Sequence, residues 1–343
     1  MTGGPLLSPL AAAYELGVRA RLALYRRGLL SVRRAGRPVV SIGNIAAGGT
    51  GKTPFLRWLA GALIARGQRP SILTRGYGRT SRGTVVVSDG AGSRASVAES
   101  GDEPSLLADA LPSVAIVADA RRARGAEKAE SLVPEGTLHL LDDGFSHVAL
   151  ERDLDVVLLD AVSPDAGGAL LPAGRLREPL DSLARADVIV VTKCDEADAA
   201  PAVEIARRFA PGVPVYRART EVLGILGSRG ERAQPEDVAA RRLVALAGIA
   251  RPESFLSTLD GLGIHPEAFL PLRDHEPFGD FTLGRIAKAL EETRASAVVA
   301  TEKDAVKLDG KLPVPLFRVA VEARAVEPSF VSDLLAQLAR PPA

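Results

Sequence analysis

The sequence predicts an α/β fold: a parallel sheet with helices on both faces, followed by a second, smaller α/β domain. Three observations predict it. Short runs rich in Val, Ile and Leu recur without polar alternation, as strands buried on both faces require. The stretches between them have the length and period of crossover helices. The texture then changes after Arg219, and a second α/β series begins at Leu243. With 343 residues the chain can bury two cores. A charged fraction of 25% beside 46% hydrophobic residues places it with soluble globular proteins. The net charge of +1 gives no reason to expect a nucleic acid partner. One cysteine, Cys194, rules out an internal disulfide and a cysteine-based zinc site.

Taken in order, residues 1–36 read as a basic amphipathic N-terminal helix. Leu7, Leu10, Tyr14, Val18, Leu22, Tyr25 and Leu29 share one helical face among many arginines, with Glu15 the only acid. Such a helix packs on the protein's own core or lies on an anionic membrane surface. No charged region precedes an apolar core as in a secretory signal, and no uncharged run is long enough to span a bilayer. Residues 37–219 form the first domain. Its strands are expected at Val39–Ile42, Ser71–Thr74, Val114–Val117, Leu138–Leu141, Val156–Leu159, Val188–Thr192 and Val213–Tyr216, with helices at Pro54–Arg66 and Ala197–Ala210. Residues 220–241, rich in Gly, Arg, Glu and Pro, read as an interdomain linker. Residues 242–343 form the smaller α/β domain. Its strands are expected at Leu243–Ala247, Ala297–Thr301 and Leu316–Val321, and its helices at Glu253–Leu262 and Thr282–Arg294.

The first strand runs into Ala46-Ala47-Gly48-Gly49-Thr50-Gly51-Lys52-Thr53. This is a P-loop with Ala46 where the usual pattern has its first glycine. Its glycines let backbone amides approach phosphate oxygens, Lys52 can reach the β- and γ-phosphates, and Thr53 can hold Mg²⁺ at a helix start that favours anions. These eight residues are the expected nucleotide site, in a P-loop NTPase-like sheet. Asp142 and Asp143, at the tip of the strand Leu138–Leu141, are the expected metal carboxylates, and residue types alone do not say which touches the ion.

Other stretches narrow the choice of reaction. "TRGYGR" at Thr74–Arg79 ends a strand with Arg75 and Tyr77, and "SGDEP" at Ser100–Pro104 puts Asp102 at a helix start. "LLPAGRLREPL" at Leu170–Leu180 carries Arg175, Arg177 and Glu178, "LRDHEPF" at Leu272–Phe278 carries Asp274 and His275, and "TEKDAVKL" follows a strand of the second domain. In this order, with GNIAAGGTGKTP, DDGF-x-H and GIA-x-P, they span nearly the whole chain and resemble the lipid A 4′-kinase (tetraacyldisaccharide 4′-kinase) family. The resemblance implies ATP-dependent phosphorylation, with Mg²⁺, of the 4′-hydroxyl of an acylated glucosamine disaccharide 1-phosphate, a lipid A precursor. It also implies a monotopic enzyme on the cytosolic face of the inner membrane, which gives the basic helix a use on an anionic surface. It carries over Asp102 and His275 as catalytic candidates, either of them the base that takes the hydroxyl proton. Glu178 is then a candidate second metal contact, and Arg75, Tyr77, Arg175 and Arg177 are candidate substrate contacts. Two positions depart from the family pattern: Ser146 stands where Gln is expected, and Arg79 where glycine is usual.

The alternative is a P-loop GTPase or ATPase switch that binds protein partners. Its support is "VVTKCD" at Val190–Asp195, since a strand ending in [NT]-K-x-D is a common guanine reader. That reading leaves Asp102, His275 and the LREP loop without a use.

Overall fold

The computed structural model describes residues 7–228, 230–274, 276–308 and 310–340. They fall into two compact units, Met1–Thr220 with Ala323–Ala343, and Glu221–Glu322.

The first unit opens with helix α1 (Ser8–Arg26). Strands β1 (Val39–Gly43), β2 (Pro70–Thr74), β3 (Val85–Asp89), β4 (Ala115–Ala118), β5 (Leu138–Asp142), β6 (Leu154–Asp160), β7 (Val188–Thr192) and the first residues of β8 (Val215–Gly227) follow. They lie in the order β8-β7-β6-β1-β5-β2-β4-β3. All pairs are parallel except β3 with β4. Every residue of β1, β2, β4, β5, β6 and β7 is buried, so the unbroken apolar runs reflect two covered faces. The covering helices are α2 (Lys52–Ile64), α3 (Val97–Ser100), α4 (Asp102–Ala110), α5 (Arg122–Leu132) and α6 (Ala200–Phe209). One cluster packs Phe55, Leu56, Leu59 and Leu63 of α2 on Ile42, Ile72 and Leu140. Another packs Ala202 and Ala206 of α6 on Val157, Ile189 and Val191.

The second unit holds β9 (Arg232–Ala233), α7 (Pro235–Ala239), β10 (Leu243–Ala247), α8 (Glu253–Gly261), β11 (Ala268–Pro271), α9 (Asp280–Thr293), β12 (Ala297–Thr301), α10 (Glu302–Leu308) and most of β13 (Leu316–Ala325). Here β11, β10, β12 and β13 are parallel neighbours in that order.

Three departures from expectation have physical causes. The stretch expected as a linker at 220–241 is structured: it continues β8, which pairs antiparallel with β9, and it contains α7, whose Val238 is fully buried. Its apolar residues Val222, Leu223, Ile225 and Leu226 are broken by Gly224 and followed by Gly227, so the run reads as a glycine-rich connection and not as a strand. The smaller domain does not run to the C-terminus, because α11 (Phe330–Leu338) packs in the first unit. Phe330 is buried against Phe55, Trp58 and Tyr216, with ring centroids 5.7, 5.8 and 5.0 Å away. Strands β3, β9 and β11 were not expected; β3 and β11 are edge strands and β9 has two residues, so none carries a run buried on both faces.

The N-terminal helix forms over Ser8–Arg26, shorter than the expected 1–36: Gly28, at φ +69, follows its end, and Leu29 of the expected face lies beyond it. Val18 is buried, whereas Leu10, Leu16, Leu24 and Leu29 are exposed. The Tyr14 hydroxyl donates to the Arg177 carbonyl at 3.1 Å, Arg19 pairs with Asp181 at 2.8 Å, and Arg21 donates to the Ser146 carbonyl at 3.1 Å. The helix is therefore tied to the loops beside the P-loop while part of its apolar surface stays open.

Candidate active site

Parallel strands end together, so the loops after β1, β2, β4, β5, β6 and β7 collect at one edge of the first unit's sheet. The P-loop follows β1. Asn44 donates its amide to Thr50 Oγ1 at 2.8 Å and accepts from Lys52 Nζ at 3.2 Å. Lys52 Nζ also lies 3.4 Å from Asp143 Oδ1. Thr53 is half-buried at the second position of α2. Gly48 has φ +110, a backbone conformation that favours glycine, and a Cβ there would stand 2.5 Å from the Arg175 guanidinium.

The two acids after β5 differ in environment. Asp142 is buried and accepts from Thr74 Oγ1 at 2.9 Å. Burial, and then the neighbouring charges of Glu103 and Asp143, push its pKa up to about 7. Burial also acts to raise Asp143, but Lys52 and Arg177 outweigh it and hold this carboxyl below the usual range. Arg177 reaches Asp143 Oδ2 at 2.7 Å. A buried carboxylate held up by its like-charged neighbours suits a cation, and the donor set of two carboxylates and the Thr53 hydroxyl is all oxygen. Among the described residues no three His, Cys, Asp or Glu side chains gather to cage a metal alone. Mg²⁺ keeps water and phosphate oxygens among its ligands.

The expected site residues divide into those the structure brings together and those it does not. Lys52, Asp143 and Arg177 form one ion-pair chain. Arg175, expected to contact substrate, donates to the Ala47 carbonyl through Nε and a terminal nitrogen, both at 3.1 Å, and Ala47 N–H returns a bond to the Arg175 carbonyl at 2.7 Å. The LREP loop is thus a brace for the P-loop. Glu178, expected near the metal, has both oxygens engaged within the chain: Ser146 Oγ donates to one at 2.6 Å and the Arg185 guanidinium pairs with the other. Ser146, where Gln was expected, takes part in this anchor. Arg79, where glycine was expected, donates to the carbonyls of Ala118 at 3.0 Å and Gly83 at 2.7 Å. Arg75 and Tyr77 are exposed on the same loop.

Asp102 is the first residue of α4, not its cap. The cap is Gly101, at φ +94, where a Cβ would stand 2.6 Å from the Tyr77 carbonyl, so RGYG and GDEP pack through a point only glycine fits. His275 lies outside the described residues. Its neighbour Asp274 pairs with Lys303 of the TEKD segment at 2.6 Å, and Asp304 accepts from Thr301 Oγ1 at 2.6 Å and Gly248 N–H at 2.7 Å. His139 is buried in β5, clasped by Ser71 at 2.6 Å and Glu130 at 3.0 Å.

Two groups escaped the sequence reading. Arg122 is buried, its pKa lowered to about 10 by desolvation against the opposing pull of Asp142. One arginine among Arg121, Arg122 and Arg124 carries no pattern that singles it out. The sequence marks Lys193 only within the [NT]-K-x-D pattern and does not mark Asp160 at the end of β6, and nothing local shows that the two meet at the P-loop. In "VVTKCD", Asp195 Oδ1 accepts the Thr220 amide at 2.7 Å, which gives that carboxylate a structural use inside the chain.

The family model described as tetraacyldisaccharide-1-P 4′-kinase (LpxK) matches residues 4–339. A tetraacyldisaccharide 4′-kinase of Anaeromyxobacter dehalogenans is 45% identical over 319 residues, covering 91% of this chain and 83% of that protein. One from Geobacter metallireducens is 42% identical, covering 88% of each. A crystal structure of LpxK from Aquifex aeolicus in complex with ATP superimposes with a TM-score of 0.78 at 32% identity, covering 97% of this chain and 98% of that one. With the P-loop, the acid pair and the LREP brace present in one unit and the match running from end to end, the chain belongs to the tetraacyldisaccharide 4′-kinase family.

Proposed function

We infer that this protein transfers the γ-phosphoryl group of ATP to the 4′-hydroxyl of an acylated glucosamine disaccharide 1-phosphate, a lipid A precursor. The observation that carries the reading is the ion-pair chain Lys52–Asp143–Arg177 on a P-loop that opens α2, within a chain matched over nearly its full length by the kinase family. Residues 46–53 cradle the triphosphate, with Lys52 on its outer phosphates. Thr53, Asp142 and Asp143 would hold Mg²⁺, which would supply charge neutralisation at the phosphate oxygens. Asp102, at the start of α4, accepts the proton as the sugar oxygen attacks the γ-phosphorus; the bond from that phosphorus to the β-bridging oxygen breaks, and ADP leaves. His275 is the second catalytic candidate that the family resemblance implies, as an alternative base. Arg75 and Tyr77 serve the sugar phosphate.

We further propose that α1 rests on an anionic bilayer, at the cytosolic face of the inner membrane. Its exposed Leu10, Leu16 and Leu24, and Leu29 just beyond its end, with arginines around them, support this. No helix among the described residues is long and apolar enough to cross a membrane. The test is transfer of labelled γ-phosphate from ATP to the purified disaccharide 1-phosphate in detergent micelles. Wild-type transfer with a drop of about 10²-fold or more in Asp102→Asn is expected. Lipid-independent hydrolysis of GTP without transfer would restore the switch reading.

A further inference from the structure

We propose that Lys193, with Thr192 and Asp160, is a positioning residue for ATP: it holds the P-loop from behind and so sets the affinity for nucleotide. This rests on the reading of residues 46–53 as the nucleotide cradle. It gives the "VVTKCD" segment a role that does not involve reading a base.

Three consecutive structural facts support it. Lys193 Nζ donates to the Gly49 carbonyl at 2.5 Å and pairs with Asp160 Oδ2 at 2.7 Å. Thr192 Oγ1 donates to the Thr50 carbonyl at 2.9 Å and the Leu159 carbonyl at 3.2 Å. Arg175 takes the Ala47 carbonyl from the other side of the loop sequence. Arg175 beside LREP, Lys193 just after β7 and Thr192 at the end of β7 therefore hold the carbonyls of residues 47, 49 and 50, while Asp160 of β6 holds the Lys193 ammonium. A trans peptide aims its N–H opposite its C=O. Clamping the carbonyls of Ala47 and Thr50 turns the amides of Gly48 and Gly51 the opposite way, free for phosphate oxygens. Clamping the Gly49 carbonyl turns the Thr50 amide onto the Gly48 carbonyl, a 3.0 Å bond that closes the loop.

The cost of this arrangement is visible. Lys193 sits at φ +60, a left-handed conformation that a lysine seldom adopts. Asp160 is buried and needs a cation. A residue that served only to end β7 would need neither. The strained backbone aims the ammonium at the P-loop, and Asp160 keeps it there. The chain has Ala46 in place of the first P-loop glycine, so bonds from outside the loop take over part of its shaping.

The test compares Lys193→Met, the charge-neutral pair Lys193→Met/Asp160→Asn, and Lys52→Met as control. It reads the ATP KM, the lipid KM, kcat, and the melting temperature without nucleotide. A hydrogen bond from a charged donor predicts an ATP KM raised about tenfold or more in both Lys193 variants. The lipid KM should stay within about twofold, with kcat changed less than the ATP KM. The double variant, which strands no buried charge, should melt near wild type. An unchanged ATP KM in both Lys193 variants, or a rise seen only in step with a lowered melting temperature, overturns the proposal. If Lys52→Met also leaves ATP binding intact, the P-loop reading itself fails, which is a separate result.

Discussion

Glu178 shows how one side chain changes meaning once its partners are known. Its carboxylate is 1% exposed and sits between Ser146 and Arg185, whose guanidinium also lies 4.1 Å from the centre of the Phe145 ring. An anchor of this kind matters before any ligand binds. Glu178→Ala leaves a largely buried Arg185 unpaired and should cost about 2–3 kcal/mol, read as a lower denaturant midpoint in the absence of nucleotide and metal. A loss of activity with unchanged stability would instead favour direct metal contact. His147 offers a test by pH. Burial, and then the positive charges of Arg122, Arg152, Arg21 and Arg75, lower its pKa from 6.5 to about 4. Between those values the unfolded chain binds the proton and the folded one resists it. Its contribution to stability is thus whole above about pH 6.5 and is lost as pH falls toward 4. His147→Gln should flatten the stability curve in that window relative to wild type, as measured by urea titration at a series of pH values.

At the scale of elements, α1 and α11 carry opposite lessons. The N-terminal segment was legible as an amphipathic helix, whereas α11 was not singled out, and where either packs was not legible. The α11 helix buries Phe330, Val331 and Leu334 in the core of the first unit. Phe330→Ala should therefore destabilise by about 3–5 kcal/mol, as expected for a large aromatic deleted from a packed cluster. Equilibrium unfolding followed by Trp58 fluorescence would report it, since the two rings are neighbours. The α1 helix leaves leucines in water instead. Removing residues 1–30 should abolish cosedimentation with vesicles containing anionic lipid while leaving ATP binding in place. Retained sedimentation would move the membrane contact elsewhere.

For the molecule as a whole, the nucleotide provides the discriminating measurement. A ligand that binds only the folded state stabilises it in proportion to the logarithm of its concentration, about 2.7 kcal/mol at one hundred times its dissociation constant. ATP with Mg²⁺ should raise the melting temperature and GTP should raise it much less. The reverse order would return weight to the guanine-reading use of Thr192, Lys193 and Asp195. The structure already gives each of those three a partner inside the chain: the Thr50 carbonyl, the Gly49 carbonyl and the Thr220 amide.

Sequence alone settled what depends on local pattern. Unbroken apolar runs became the parallel strands β1, β2 and β5–β7 because burial on both faces leaves no room for polar alternation. The P-loop, the acid pair after β5 and the ordered words of the kinase family were readable because each is a short, contiguous set of residues. Tertiary structure decided everything that depends on contacts between distant segments. It gave α11 to the first unit, turned residues 220–241 into strand and helix, made Glu178 an anchor, and brought Lys193 to a loop that lies 144 residues before it. Hydrogen bonds and ion pairs of this kind carry no periodicity and no spacing, so only the folded chain reveals them.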